Sequence, residues 1–291
     1  MLKPALLTDQ ALWDDVLQQS TDPHQFQLWW LGQSGFLLQW QGQRVLLDPY
    51  LSDSLTKKYA HTTKPHVRIS ERVIDPQLLR GIDVLSSSHN HTDHLDAETL
   101  QPILANNLQA RFLIPEANRD FVVERVGCTR DFPIGLNDGQ SVSIGLFTFY
   151  GVPAAHNELE RDAQGNCRYM GYVVEFGPWK IYHSGDTLWY EGMVEVLRPF
   201  QVDIALLPIN GHDPARGVAG NLNAQEAVDL GRAIGAKWVI PHHYDMFAFN
   251  TADPADFVAA AKKAAQNYCV LELGDKFVFS QDTLPARGGQ A

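Results

Sequence analysis

Residues 89–94 read His-Asn-His-Thr-Asp-His, directly after the strand-like run IDVLSSS. His89, His91, Asp93 and His94 thus place four potential ligands within six residues. Imidazole and carboxylate suit divalent zinc, iron or manganese, and no cysteine stands nearby to favour a soft-ligand site. A tight turn can aim His89 and His91 at one ion while Asp93 and His94 face another about 3.5–4 Å away, the usual two-metal separation. A polar surface loop or a chelating tract would hold the same residue types, but the strand–loop–helix setting favours the metal reading. Asp186 lies where the apolar run WKIYHSGD ends; its carboxylate could bridge two cations or cap a helix. Near the C-terminal end, WVIPHHYDMF holds His242 and His243 side by side.

Such residues need a frame of strands. Short apolar runs at 26–32, 35–40 and 44–49 read as strands separated by glycine. Residues 8–19 read as an amphipathic helix with Thr8 as N-cap, and 51–74 as a long polar loop. Strand 82–88, helix 96–106, strand 111–115 and helix 116–127 follow. Further strands are expected at 141–145, 146–152, 169–176, 179–185 and 202–209, with a helix near 190–197 between the last two. Asn223 and Glu226 have the spacing of a helix-starting capping box. Strand 237–241, helix 252–265 and closing strands 268–273 and 276–280 complete the chain, with a frayed tail at 285–291. Each half runs strands first, then strand–helix alternation. Two such halves fit a four-layer αββα sandwich, an α/β fold of two mixed sheets face to face with helices outside, as one domain over 1–291.

Composition narrows the function. Of 291 residues, 45% are hydrophobic and 20% charged, enough for a sizeable core. The formal charge of −11 disfavours broad nucleic-acid binding, which needs a basic surface. There is no apolar run of about 18 residues to insert in a membrane, and MLKPALLTDQ has no secretory signal pattern, so a cytoplasmic location is expected. Cys128, Cys167 and Cys269 match no zinc or redox spacing and read as reduced, mostly buried thiols.

The H-x-H-x-D-H run after a strand resembles the hallmark of the metallo-β-lactamase superfamily. WWLGQSGFLL, IYHSGDTLWY and VIPHHYDMF are similar to segments of the branch containing the bacterial L-ascorbate-6-phosphate lactonases, which also resembles phospholipase-D-type members. The resemblance implies two divalent ions, zinc or manganese, with iron compatible. It places His89, His91 and His156 on one, Asp93, His94 and a late histidine on the other, and Asp186 between them. In that branch the late segment follows Ile-Pro-x-His. With adjacent strand residues facing opposite sides, this selects His243 and leaves His242 as a cavity-wall residue, a neighbour of the ligands or an ordinary packed histidine. Asp48, in VLLDPY, matches an aspartate that orients a ligand imidazole, although an Asp-Pro turn would look the same. His183 reads as a neighbour of the ligands rather than a ligand. Gln33 stands where several related groups carry histidine; a turn residue is the default.

For substrate contact, related lactonases carry a Pro-Arg-Gly segment that Ala215-Arg216-Gly217 partly echoes. Arg216 is thus either an anion clamp or a solvated arginine. His212 and Asn210 lie on the same loop, and Trp189 and Tyr190 either wall the cavity or begin a packed helix. Lys57, Lys58, Lys64 and Arg68 on the long loop either face solvent or close over an anionic substrate. Two cations sharing a water lower its pKa toward neutrality, giving a hydroxide to attack a carbonyl or phosphorus. A small anionic ester is the leading substrate, with a lactone such as a sugar-phosphate lactone as the family precedent and the leaving alkoxide protonated by solvent or by Asp93. A cyclic-nucleotide or phospholipid-type diester is the enzymatic alternative, and a non-catalytic metal- or ligand-binding protein the alternative of a different class. Analogy with the lactonases suggests a homo-oligomer. Nucleic-acid-processing relatives carry a large inserted domain for which this chain has no room. Redox di-iron relatives replace the second motif histidine, here His91, by glutamate.

Overall fold

In the computed structural model, which describes residues 1–18 and 20–280, the first apolar runs form an antiparallel meander. Its strands are β1 (Gln25–Gly32), β2 (Gly35–Trp40) and β3 (Gln43–Leu47). β4 (Val84–Ser86), β5 (Arg111–Pro115) and β6 (Ile134–Leu136) continue the sheet in parallel. The second sheet starts with the antiparallel strands β7 (Ser141–Ile144), β8 (Phe147–Pro153), β9 (Met170–Phe176) and β10 (Trp179–His183). β11 (Ile204–Pro208) and β12 (Trp238–His242) extend it in parallel. β13 (Lys276–Ser280) returns to the first sheet beside β1. The orders are β13-β1-β2-β3-β4-β5-β6 and β12-β11-β10-β9-β8-β7.

β2 and β11 are buried at every residue rather than at alternate ones, as strands covered on both faces must be. Between the sheets, Phe26 of β1 meets Phe176 and Trp179 at ring separations of 5.2 and 5.1 Å. The helices are α1 (Asp9–Leu17), α2 (Ser54–Tyr59), α3 (Ala97–Asn106), α4 (Arg119–Val126), α5 (Met193–Leu197), α6 (Ala224–Ile234) and α7 (Pro254–Ala264). α6 begins with the expected capping box between Asn223 and Glu226 and packs on β11 and β12. The architecture is the αββα sandwich. No described helix is long and apolar enough to cross a membrane.

Three local expectations change. The stretch 51–74 is not all loop: α2 lies within it, and an isolated bridge joins Arg68 to Phe247. β6 was not foreseen, because three residues show no periodicity. Residues 268–273 are not a strand. Tyr268 makes one bridge to Val239 of β12, after which the chain crosses toward the first sheet, with Leu271 and Leu273 in the core and the Leu271 carbonyl accepting from Tyr244 at 2.6 Å. The tail 285–291 and the end of the first helix at Gln19 lie outside the described residues. Cys167 is buried, Cys128 and Cys269 are partly buried, and all three are free thiols.

Candidate metal centre

Strand ends at one rim of the sandwich deliver the chemistry. The loop after β4 brings His89, His91, Asp93 and His94; β8 leads to His156, β10 to Asp186 and β12 to His243. Their ligand atoms form two groups, His89–His91–His156 and Asp93–His94–Asp186–His243, each within 4.8 Å. Asp186 Oδ2 lies 3.4 Å from His94 Nε2, 3.4 Å from His243 Nε2 and 3.5 Å from His156 Nε2. One carboxylate oxygen therefore faces imidazoles of both groups, as a bridging ligand must.

The outer ring atoms are tied down, which aims the inner ones. His94 Nδ1 lies 2.6 Å from Asp48 Oδ2, so it carries the proton and leaves Nε2 to ligate. Asp48 also accepts from the Ser88 amide at 2.8 Å and from the Ser88 hydroxyl. His156 Nδ1 donates to the Gly220 carbonyl at 2.8 Å. His89 Nε2 and His94 Nε2 are buried without a hydrogen-bond partner among the described residues. Orphaned buried nitrogens are costly, and here they border ionised carboxylates; a divalent ion fits this donor set.

Charge is divided between the groups. Burial pulls His91 down to about 4, helped by His156; burial and the neighbouring histidines likewise hold His89 well below its usual value. Both are neutral, as a ligand imidazole is. Burial also opposes a charge on His243, but Asp186 and Asp93 outweigh it and push its pKa up to about 9. Burial would raise the carboxyls of Asp93 and Asp186, yet His94 and His243 keep both well below the usual range. Two ionised carboxylates thus face three of the inner ring nitrogens, and cations would take over the balancing now done by protons.

Three residues with side chains hold left-handed backbone here: Gln33 at φ +50°, Asp48 at +43° and His243 at +66°. Such conformations cost about 1–3 kcal/mol each and collect at functional sites. The turn between β1 and β2 that strains Gln33 also drives its side chain inward. Its Nε2 lies 2.9 Å from Asp93 Oδ2 and 3.0 Å from His243 Nε2. Gln33 is at the turn, as expected from its glycine neighbours, but its amide is in the centre; that contact was missed. The only signal for it was its place in a pattern where relatives carry histidine.

His183 donates from Nε2 to the Ser34 carbonyl at 2.8 Å and accepts the Gly185 amide at 3.3 Å. It stacks on His242 at 5.5 Å and has no bond to a ligand side chain, so it packs the sheet end rather than tuning a ligand. His242 Nδ1 lies 3.1 Å from the hydroxyl of Ser34, which is 3.5 Å from Asp186 Oδ1.

The cavity above the ligands is lined by other groups than those expected to meet substrate. Arg216 is consumed by its own loop, donating to Asn250 Oδ1 at 3.0 Å and to the carbonyls of Asn210 and Gly211 at 2.8 Å each. Asn210 is buried against Asn221 and Asn250. His212 is exposed and covers Gly220. Trp189 is 39% exposed, and the Tyr190 hydroxyl donates to the Pro153 carbonyl at 2.8 Å. None of these five lines the cavity, whose walls instead include Tyr59, His66, Phe121 and Tyr169.

Residues 27–243 match the family model described as a beta-lactamase superfamily domain. The chain belongs to the metallo-β-lactamase superfamily. Among curated relatives, the protein of Shigella dysenteriae named probable L-ascorbate-6-phosphate lactonase UlaG is 24% identical over 92% of this chain and 85% of its own length. The structure of isothiocyanate hydrolase from Delia radicum gut bacteria superposes with a TM-score of 0.68 at 18% identity, covering 87% of this chain and 99% of that one. Igni18, a metallo hydrolase of the archaeon Ignicoccus hospitalis, gives 0.64 at 20% identity, covering 88% and 99%. The family match gives this chain the metallo-hydrolase fold, with a His/Asp centre able to hold divalent metal.

Asp48 offers a direct check. In Asp48→Asn an amide nitrogen facing His94 Nδ1 would set donor against donor, favouring the tautomer with its proton on Nε2, the atom needed for the metal. Metal affinity should fall about 10–100-fold, read by competitive chelator titration, with the circular dichroism spectrum retained.

Proposed function

We propose that the protein is a metal-dependent esterase that opens a lactone or similar small ester. The observation that carries this reading is the position of Asp186 Oδ2, 3.4–3.5 Å from ring nitrogens of both ligand groups. It supports a binuclear centre held by His89, His91 and His156 on one side, Asp93, His94 and His243 on the other, with Asp186 shared. Zinc or manganese suits this nitrogen–oxygen set, with iron compatible. When bound, such ions supply an acidified water and a Lewis acid for the substrate carbonyl.

The chain's own residues do the rest. Asp48 and the Gly220 carbonyl fix the imidazoles of His94 and His156, so the ligand set needs little rearrangement during turnover. Asp93 lines the cavity and is the carboxyl placed to return a proton to the leaving alkoxide, which in a lactone stays attached to the product. The 24% likeness to a protein named as a lactonase favours this ester over others.

The test is a screen of lactones against cyclic and acyclic phosphodiesters, using protein reloaded with zinc or manganese. Turnover of lactones, with diesters at least about a hundredfold slower, is the expected result. Diester turnover alone would replace the esterase reading by a phosphodiesterase. Inactivity toward every ester by protein carrying two metal equivalents would favour a non-catalytic binder.

A further inference from the structure

The cavity over the metal centre has a volume of about 530 Å³, and its charge is layered. Its floor holds Asp93 and Asp186 among His91, His156 and His243, while its remaining walls hold Lys58, Lys64, His66 and Arg125, with no further carboxylate among the described residues. That is a basic rim in a chain of formal charge −11.

The five lysine and arginine side chains of the 51–74 stretch divide into two kinds, and Arg72, paired with Asp75 at 3.2 Å, falls with those that do not line the cavity. Lys57 is paired with Glu98 at 2.7 Å, and Arg68 with Asp53 at 2.7 Å; neither lines the cavity. Lys58 and Lys64 both do, and neither has an ion-pair partner among the described residues. Lys58 Nζ donates to Thr92 Oγ1 at 3.2 Å, between His91 and Asp93. Lys64 Nζ reaches across to the Gly217 carbonyl on the facing loop. Arg125 is held more firmly: one of its nitrogens donates to two carbonyls, those of Asn90 and Leu95 at 2.9 and 3.2 Å, and its guanidinium lies over the Phe121 ring at 4.3 Å.

Two ammonium groups thus stand over the reaction floor on neutral acceptors, a hydroxyl and a carbonyl. An ammonium exchanges such acceptors readily for an anionic oxygen, since charge-assisted bonds are the stronger. We infer that Lys58 and Lys64 form a subsite for a phosphate monoester group, which holds the far end of the substrate while its ester carbonyl lies over the metals. This deepens the esterase reading and rests on it for what lies at the other end of the molecule. The subsite takes the part that loop position had suggested for Arg216.

Inorganic phosphate is titrated calorimetrically into metal-loaded wild type, Lys58→Gln/Lys64→Gln and, as control, Lys57→Gln. The double variant should bind phosphate at least about tenfold more weakly, and the control should match wild type within about twofold. In parallel, kcat/KM is measured for a lactone with a phosphate group and for its unphosphorylated counterpart. The wild-type preference for the phosphorylated lactone should collapse toward one in the double variant. Unchanged phosphate affinity in the double variant, or no phosphate binding by wild type, overturns the subsite even if lactones are hydrolysed. A large loss of phosphate affinity with no lactone turned over by wild type upholds the subsite and removes the lactone reading instead.

Discussion

Asp93→Asn should lower kcat by roughly 10³-fold, within the range for losing a positioned proton carrier, while the protein keeps its fold. Asp93 is the more open of the two carboxylates on the cavity floor, its side chain 15% exposed against 3% for Asp186. Its Oδ2 accepts from Gln33 at 2.9 Å and lies 3.6–3.7 Å from His243 and His94 Nε2. Asparagine preserves the shape and can still accept from Gln33, so no cavity opens. What it removes is the negative charge that faces His94 and His243, and the site of the exchangeable proton. The check is steady-state kinetics on the variant, with metal content by elemental analysis and Tm measured on the same preparation. If a homogeneous variant carrying its full metal complement turns over substrate near the wild-type rate, Asp93 has no catalytic role.

How much of this was legible depended on whether local residues carry their own explanation. The 89–94 motif did: four potential ligands in six residues at a strand end have few other uses. The sandwich followed from apolar runs and glycine punctuation, because buried strands must be apolar wherever they lie in the order. His156 was different. Nothing around it marks a ligand, and only its place in a family pattern selected it; what sets its ring beside His89 and His91 is the Gly220 carbonyl 64 residues away. Gln33 was missed for a similar reason. A glutamine between glycine and serine looks like a turn, and it is one, but the left-handed backbone that makes the turn also aims the amide at Asp93. Arg216 erred the other way: a cation on a glycine-rich loop looks free for ligand until the three carbonyl oxygens that its own loop and Asn250 offer it are in place. Residue type reveals what a side chain can bind, whereas its availability is settled by tertiary neighbours.

The paired histidines after β12 make the sharpest case, since two identical side chains one position apart should fail in different ways. Strand alternation was the argument for separating them, and it is only half of the cause. His242 is the last residue of β12, whereas His243 lies beyond it at φ +66°, with its amide donating to the Gln33 carbonyl at 3.0 Å. That left-handed turn swings the His243 ring between Asp93 and Asp186, 3.6 and 3.4 Å from their oxygens. The His242 ring stays in the sheet end, fully buried against His183 and Phe36. His243→Ala should therefore reduce bound metal from two equivalents to about one and abolish most activity. In chelator its Tm should fall as well, because the protonated ring then balances two buried carboxylates, so metal content rather than Tm separates the two variants. His242→Ala should keep both metals but open a cavity and strip Ser34 of its ring partner, costing about 2–4 kcal/mol by analogy with other large-to-small core changes. For a chain of this size that is a fall of roughly 3–7 °C in Tm. Metal analysis and thermal melts on the two variants side by side decide it. Equal metal loss in both would mean that the His243 register is wrong, and a thermally unaffected His242→Ala would mean that its ring does not pack as the fold places it.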